Sequence, residues 1–283
     1  MPILNKGRRG ISVIDQPLKL GGASWFEPQA GVSLFDDFLI DVLADDPYVT
    51  VAQSGTPLTA AAVSGAAGPP TYAGAGGWIA GKSDDVDAEI DEISIGGLGT
   101  GAGTPWLYAA RAGNSVLVCE WGLVIPTALT ARQYYVGLTD DPVEGTGTNG
   151  SLNITGTYTL AAIADNAAGF VFSSLATNPT IWKSAAVKAT VVSSMSAANE
   201  SITGVVDCYT TLRVEIDSLG NAFYYASIHP TAATGTRIQP SYVNTLSSAV
   251  TTTVGLLPIV AVAPTTTTGV EWELDYVFAG CSR

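Results

Sequence analysis

The segment Thr211-Leu-Arg-Val-Glu-Ile-Asp217, followed by Ser218-Leu-Gly-Asn221 and Ala222-Phe-Tyr-Tyr-Ala-Ser-Ile228, decides the fold class. Leu212, Val214 and Ile216 alternate with Arg213, Glu215 and Asp217. Successive side chains of a strand point to opposite faces, so strict alternation predicts one dry face and one wet face. Gly220 and Asn221 both tolerate a positive φ, which makes 218–221 a turn. The aromatic-rich 222–228 then returns as the second strand of a hairpin.

The same logic extends outward. In Glu271-Trp-Glu-Leu-Asp-Tyr-Val-Phe278, Trp272, Leu274, Tyr276 and Phe278 alternate with Glu271, Glu273 and Asp275. Leu256-Leu-Pro-Ile-Val-Ala-Val262 is a near-continuous apolar run, the pattern of a strand buried on both faces, with Pro258 marking a bulge or an edge. Residues 115–125, ended by Pro126, and 133–139, ended by Asp140-Asp-Pro142, read as long strands. Shorter candidates are 169–172, 185–192 and an opening strand at 34–40. No 12-residue helical pattern is present, and 124–133 holds one helical turn at most. Residues 53–76 and 143–157 read as long Gly/Ala/Thr/Pro-rich loops of the kind found at interfaces, and Pro264-Thr-Thr-Thr-Thr-Gly269 as a hairpin loop or edge decoration. Many strands at short spacing without alternating helices predict an all-β fold of two packed antiparallel sheets.

Composition agrees. The 283 residues include 31 glycines and 15 prolines, 47% are hydrophobic, and only 13% are charged. Twelve Lys and Arg stand against 25 Asp and Glu, for a net charge of −13. That balance excludes a dominant duplex-binding surface, which needs clustered cations. A coiled coil would be richer in Glu, Lys, Arg and Leu, and a disordered chain poorer in apolar residues. Charge is uneven: residues 1–19 carry Lys6, Arg8, Arg9 and Lys19 against Asp15 alone, and no Lys or Arg occurs between Lys19 and Lys82. Residues 1–29 therefore read as an extended basic arm, a tether for an acidic neighbour, and 30–283 as the sandwich domain. The first ten residues lack the apolar run of a secretory signal, and no stretch approaches 18 uninterrupted apolar residues, so neither secretion nor a membrane partner is expected. Cys119, Cys208 and Cys281 are odd in number and widely spaced, and are expected to be reduced and buried. Three glycosylation sequons, at Asn149, Asn153 and Asn199, carry no weight without a secretory signal.

Little in the sequence points to chemistry. His229 is the single histidine, placed before Pro230 at a strand end, and no Gly-x-Ser-x-Gly elbow accompanies it. The glycines at 96–103 precede no helix pattern, so they do not form a nucleotide loop. The acidic run Asp84-Asp-Val-Asp-Ala-Glu-Ile-Asp-Glu92 has three readings: a solvated strand face, a calcium site together with Asp140 and Asp141, or a glycosidase carboxylate pair. Glu89-Ile-Asp91 is similar to the start of the catalytic strand of laminarinase-type jelly-roll glycosidases, which place Glu, Asp and Glu along one strand. Here Ile93 and Ser94 occupy the positions of the second Glu, and Glu92 falls on the opposite face. The solvated face is favoured, and no catalytic, cofactor or metal-binding residue is assigned.

The order of segments carries a wider resemblance. Ser33-Leu-Phe-Asp-Asp-Phe-Leu39 is followed by Val116-Leu-Val-Cys-Glu-Trp-Gly-Leu-Val124, Tyr135-Val-Gly-Leu-Thr-Asp140 and Ala168-Gly-Phe-Val-Phe172. Next come the 209–225 hairpin, Leu257-Pro-Ile-Val-Ala261 and Leu274-Asp-Tyr-Val-Phe278. Over 33–279 this resembles the concanavalin-like (laminin-G-like) jelly-roll proteins of tailed-bacteriophage virions. The resemblance implies an all-β, two-sheet antiparallel jelly-roll sandwich with the arm outside it. It also implies a non-enzymatic capsid decoration or cement protein, made in the host bacterial cytoplasm and located on the virion surface. Its expected partners are the major capsid protein and copies of itself, as a homo-oligomer with a trimer favoured. The alternative is a glycan-binding head-fibre or tail attachment module. Of the six tryptophans, Trp121 and Trp272 are expected in the core, Trp25 and Trp182 are unassigned, and Trp78 and Trp106 are candidates for a surface platform.

Overall fold

The computed structural model describes residues 116–282 apart from short connecting stretches. Before residue 116 it describes the backbone of the strands named below and the side chains of Ile93, Ser94 and Leu107. In chain order the early strands are β1 (Lys19–Leu20), β2 (Ala23–Ser24), β3 (Gly31–Asp36), β4 (Val49–Gln53), β5 (Thr56–Pro57), β6 (Thr71–Tyr72), β7 (Ile79–Lys82), β8 (Asp91–Ile95) and β9 (Leu107–Tyr108). The central ones are β10 (Leu117–Val124), β11 (Arg132–Thr139), β12 (Leu152–Gly156), β13 (Thr159–Ala162), β14 (Asn166–Ser173), β15 (Ile181–Lys188), β16 (Val191–Val192) and β17 (Glu200–Thr203). The last are β18 (Tyr209–Ile216), β19 (Ala222–His229), β20 (Ser241–Leu246), β21 (Gly255–Pro264) and β22 (Glu271–Ser282). Among the described residues the one helical element is a 3-10 turn at Ala197–Asn199, and no helix is long and apolar enough to cross a membrane.

The molecule is a jelly-roll sandwich of two antiparallel sheets. The first runs β20-β19-β18-β10-β22-β7-β6, with β3 also paired to β22. The second runs β16-β15-β14-β11-β21-β8-β4-β5, with β17 on β15 and β9 on β21. The hairpin read from 211–228 is present: β18 and β19 pair from Tyr209 opposite His229 to Ile216 opposite Ala222. Its turn is held by Asp217, whose carboxylate accepts from the backbone amides of Leu219 and Asn221 and from Asn221 Nδ2. Within the turn only Gly220 takes a positive φ, +80°. A Cβ there would also stand 2.5 Å from the Val250 carbonyl oxygen, so glycine is required twice over.

Between the sheets lies one apolar core. Trp121, Leu123, Leu212, Val214, Ile216, Tyr224, Trp272 and Leu274 from the first sheet meet Tyr134, Val136, Phe170, Phe172, Trp182 and Val260 from the second. Phe170 packs edge-on against Tyr224 with centroids 5.4 Å apart, and Trp182 lies 5.3 Å from Phe172 and 5.9 Å from Tyr134. Two buried polar links tie the layers: Tyr224 Oη donates to the Ala185 carbonyl at 2.8 Å, and Cys119 Sγ lies 3.5 Å from the Gly137 carbonyl. Cys119 and Cys208 are free and buried, and burial pushes the Cys119 thiol far above its ordinary range. The side chain of Cys281 lies outside the described residues.

The outer face of the second sheet is apolar too. Tyr135, Ala167, Val171, Ala185, Val187, Leu257, Ile259 and Ala261 form a second cluster, against which Leu160 and Ala162 of β13 and Val192 of β16 pack. Part of the expected 143–157 loop is therefore strand β12, paired with β13. Gly137 and Gly169 face each other across β11 and β14. A Cβ on Gly137 would meet the Ala168 carbonyl oxygen at 2.4 Å, and one on Gly169 would meet the Tyr135 ring at 2.7 Å. The Tyr135 ring thus lies over Gly169, and its hydroxyl reaches the Leu138 carbonyl at 2.6 Å.

Several expectations need correction. The single 185–192 strand is two, because Ala189 and Thr190 adopt φ of 47° and 71° and turn the chain from β15 into β16. Pro258 is in a central strand: β21 pairs with β11 without a register shift. On the other edge of β21, the pairing with β9 ends at Leu256 and that with β8 begins at Ile259, so Pro258 sits in a gap between partners. The Thr-rich 264–269 run connects no hairpin, since β21 and β22 belong to different sheets. Gly137→Val would force backbone apart in the middle of the second sheet, and is expected to destabilise the fold by about 3 kcal/mol or more in urea unfolding.

Candidate functional site

The expected wet face of β18 is buried. Arg213 and Glu215 are under 10% exposed, and Thr211 is covered as well. A bulge in β22 contributes to this. Gly122 pairs with Tyr276 and Leu123 with Leu274, so Asp275 is an extra residue between them. One inserted residue reverses the side chains beyond it. Val277 and Ala279 therefore enter the core between the sheets, and Tyr276 and Phe278, expected beside Trp272 and Leu274, move to the outer face. There they join Glu120, which β10 places opposite both Arg213 and Phe278.

The resulting cluster is continuous. Glu120 is 1% exposed; its Oε1 accepts from Tyr276 Oη at 2.5 Å, and its Oε2 lies 3.7 Å from Arg213 Nη1. Arg213 Nη2 bonds Glu215 Oε1, and the guanidinium lies 5.4 Å from the centroid of the Tyr225 ring. Tyr225 in turn meets Tyr242 edge-on at 5.8 Å, and Tyr242 is 59% exposed. At the other end Tyr209 Oη donates to Asp275 Oδ2 at 2.7 Å, so the bulge residue itself anchors β18. Gly122 makes room beneath both rings, since a Cβ there would stand 2.2 Å from Tyr209 Oη and 2.6 Å from Tyr276. Burial pushes the Glu215 carboxyl above the ordinary range, with Arg213 and a hydrogen bond from Tyr225 opposing and Glu120 reinforcing. Tyr225 is also raised, first by burial and then by Glu215.

Chemically, this is one cation shared by two carboxylates beneath an aromatic rim. Each carboxylate already accepts from a phenol and is held by the same guanidinium. Such an arrangement orients strands and presents Tyr242 to solvent. Sequence reading missed it because Glu120, Arg213 and Tyr276 lie on three separate strands, and the bulge leaves no mark in the alternation.

The residues singled out from sequence fall elsewhere. His229 ends β19 opposite Tyr209. Asp140 holds Asn166, accepting from its amide and its Nδ2 at 2.9 Å each. Among the described residues no group of three or more His, Cys, Asp or Glu could hold a metal ion. Residues 84–90, the glycines at 96–103, Trp25, Trp78 and Trp106 lie outside the described residues. Ile93 is buried in the core and Ser94 beside it is covered, in a strand paired on both edges. The positions of the second glycosidase Glu are thus structural. Trp121, Trp272 and Trp182 are all core. Asn199 is buried, and its side chain closes the capping box of the 3-10 turn.

No family model matches the sequence, and no curated relative matches it. Among solved structures the chain is similar to a protein of unknown function from Shewanella oneidensis MR-1, with a TM-score of 0.51 and 11% identity over 89% of this chain and 87% of that one. At a TM-score of 0.46 it is similar to the carbohydrate recognition domain of Emp47p (8% identity, 87% of this chain and 95% of that one). The exoplasmic/lumenal domain of VIP36 in its Ca2+/Man-bound form gives the same score (10% identity, 83% of each chain). At these identities the likeness is one of fold alone.

Arg213→Met leaves Glu120 and Glu215 buried without their cation, an expected loss of about 3–5 kcal/mol. Burial already raises the Glu215 carboxyl, and without the guanidinium that opposes it the folded pKa of Glu215 stands further above the unfolded one. The penalty is then full above the folded pKa and fades as pH falls through it, so the loss should be larger near pH 8 than near pH 5 in denaturant titrations.

Proposed function

We propose that this chain is a structural virion protein of a tailed bacteriophage, decorating or cementing the capsid surface through protein–protein contacts. One observation carries the reading: two sets of buried ionisable groups, around Glu120 and around Arg132, are committed to tying strands together. Glu120, Arg213, Glu215 and Tyr276 bind three strands of the first sheet. Arg132 donates to the carbonyls of Pro126, Thr130 and Glu271, fastening a crossover between the sheets. A protein whose task is cohesion uses its polar groups in this way, and we read it as a non-enzyme. The order of segments supports the virion assignment, and the basic stretch at 1–19 supports a tethering arm on an acidic body. The first sheet ends at β20, an uncharged edge strand that among the described strands pairs with β19 alone. Open edges of this kind pair with other chains, which supports a homo-oligomer, for which a trimer is our choice.

The test is sedimentation with empty capsids. Saturable, stoichiometric co-sedimentation that falls at least tenfold in affinity when residues 2–20 are deleted is the expected result. A chain that stays monomeric and fails to sediment with capsids overturns the assignment.

A second reading, a glycan-binding attachment module, is favoured by Tyr242. Its exposed ring, braced by Tyr225, is the kind of aromatic surface on which a sugar face stacks. Under this reading a glycan array gives defined hits that Tyr242→Ser weakens about tenfold or more, a stacking contribution of about 1.5 kcal/mol. An array without hits, alongside capsid binding unaffected by Tyr242→Ser, excludes it.

A further inference from the structure

Lys183 is a lysine with no exposed surface, on a face otherwise lined by alanine and valine. Its Nζ donates to the carbonyls of Asn178 at 2.9 Å and Ile181 at 3.2 Å. Asn178 opens a tight turn, with φ of 54° and its carbonyl accepting from the Ile181 amide. Its side-chain Nδ2 donates to Glu200 Oε1 at 2.7 Å. Glu200 is the cross-strand partner of Lys183 in the β15–β17 ladder, so the two side chains leave the same face of the sheet. The Lys183 amine thus sits on the backbone carbonyl of Asn178, the residue whose carboxamide reaches Glu200, and Glu200 lies opposite Lys183 in the ladder.

We propose that Lys183 and Asn178 form an intramolecular isopeptide bond, with Glu200 carrying the proton to the departing nitrogen. In the step, the Nζ lone pair bonds to Asn178 Cγ, the Cγ–Nδ2 bond breaks, and ammonia leaves. An amine and a primary amide become a secondary amide and ammonia, so no oxidant, reductant or cofactor is required. Glu200 takes a proton from Nζ and gives one to Nδ2, the atom it already touches, and finishes in the state in which it began. Two further features support the reaction. Burial lowers the pKa of Lys183, with Glu200 opposing, which favours the neutral nucleophile. Residue 179 is proline, so the backbone N–H that ordinarily attacks an asparagine side chain is missing, and the amide is kept for the lysine. The product locks the 178–183 turn covalently, which suits a fold whose polar groups serve cohesion, although the inference rests on the turn geometry alone.

The experiment is intact mass spectrometry of the purified, reduced full-length chain, compared with Lys183→Arg, Asn178→Gly and Glu200→Gln. Asn178→Gly keeps the left-handed turn while removing the amide. The expected result is a wild-type mass lower by about 17 Da, one ammonia, than its sequence requires, with all three variants at full mass. Acylated lysine is not a trypsin site, so the denatured wild type should also resist cleavage after Lys183. Circular dichroism confirms that the variants are folded. A full-mass wild type cleaved by trypsin after Lys183 overturns the proposal, as does a folded Asn178→Gly or Lys183→Arg variant that still loses ammonia. Loss of ammonia in Glu200→Gln at the wild-type level overturns the role of Glu200.

Discussion

A strand carries its side chains with a period of two, and one inserted residue exchanges its faces. In this protein the insertion is Asp275 in β22. Upstream of it Trp272 and Leu274 point into the core; downstream Val277 and Ala279 do so. The exchange sends Tyr276 to the outer face, where its hydroxyl reaches Glu120. The outer face of the first sheet depends on that single change of phase. Without it Tyr276 would crowd the core and Glu120 would lose its phenol partner. The bulge residue is used as well, since Asp275 accepts from Tyr209 and ties β22 to β18 across β10.

The charged cluster built this way is costly to desolvate. A buried pair seldom adds net stability over a well-packed apolar equivalent, because Coulomb attraction roughly offsets lost hydration. Removing one partner is a different matter, as the remaining charge is then stranded. Glu120, Arg213 and Glu215 therefore act less as a source of stability than as a penalty on any arrangement that separates them. Three adjacent strands, β10, β18 and β22, have to sit in one register for the Tyr276, Glu120 and Arg213 contacts to form.

The second sheet uses a different device. Facing glycines at 137 and 169 leave a shallow window in the ladder, and the Tyr135 ring lies over it. Over the same face pack β13 and β16, so this sheet too is covered on both sides. Where the described parts of both outer faces are covered in this way, edges and loop ends are left as the places for contact. Tyr242 on the edge strand β20 is one such place, and the turn at 178–183 is a site where chemistry could make the slab more rigid.

Much of the scaffold was legible in the chain. Alternation at 212–216, the turn at 218–221 and the apolar run at 256–262 each identify a strand or turn by local chemistry. Each survives because burial of one face or closure of a tight turn is a local demand. Trp121 and Trp272 were likewise readable as core. The buried charged cluster was not legible, because its members are 156 residues apart at Tyr276 and Glu120 and meet only through pairing. Nor was the burial of Arg213 and Glu215, since alternation records that two faces differ without recording what covers each. By itself the sequence determined an all-β sandwich with a low-charge surface, because period-two patterning and turn residues act within a few positions. The tertiary structure alone decided the phase of β22, the central place of Pro258 and the meeting of Lys183, Asn178 and Glu200. Those depend on the register between paired strands, and register is set by the packing of the whole sheet.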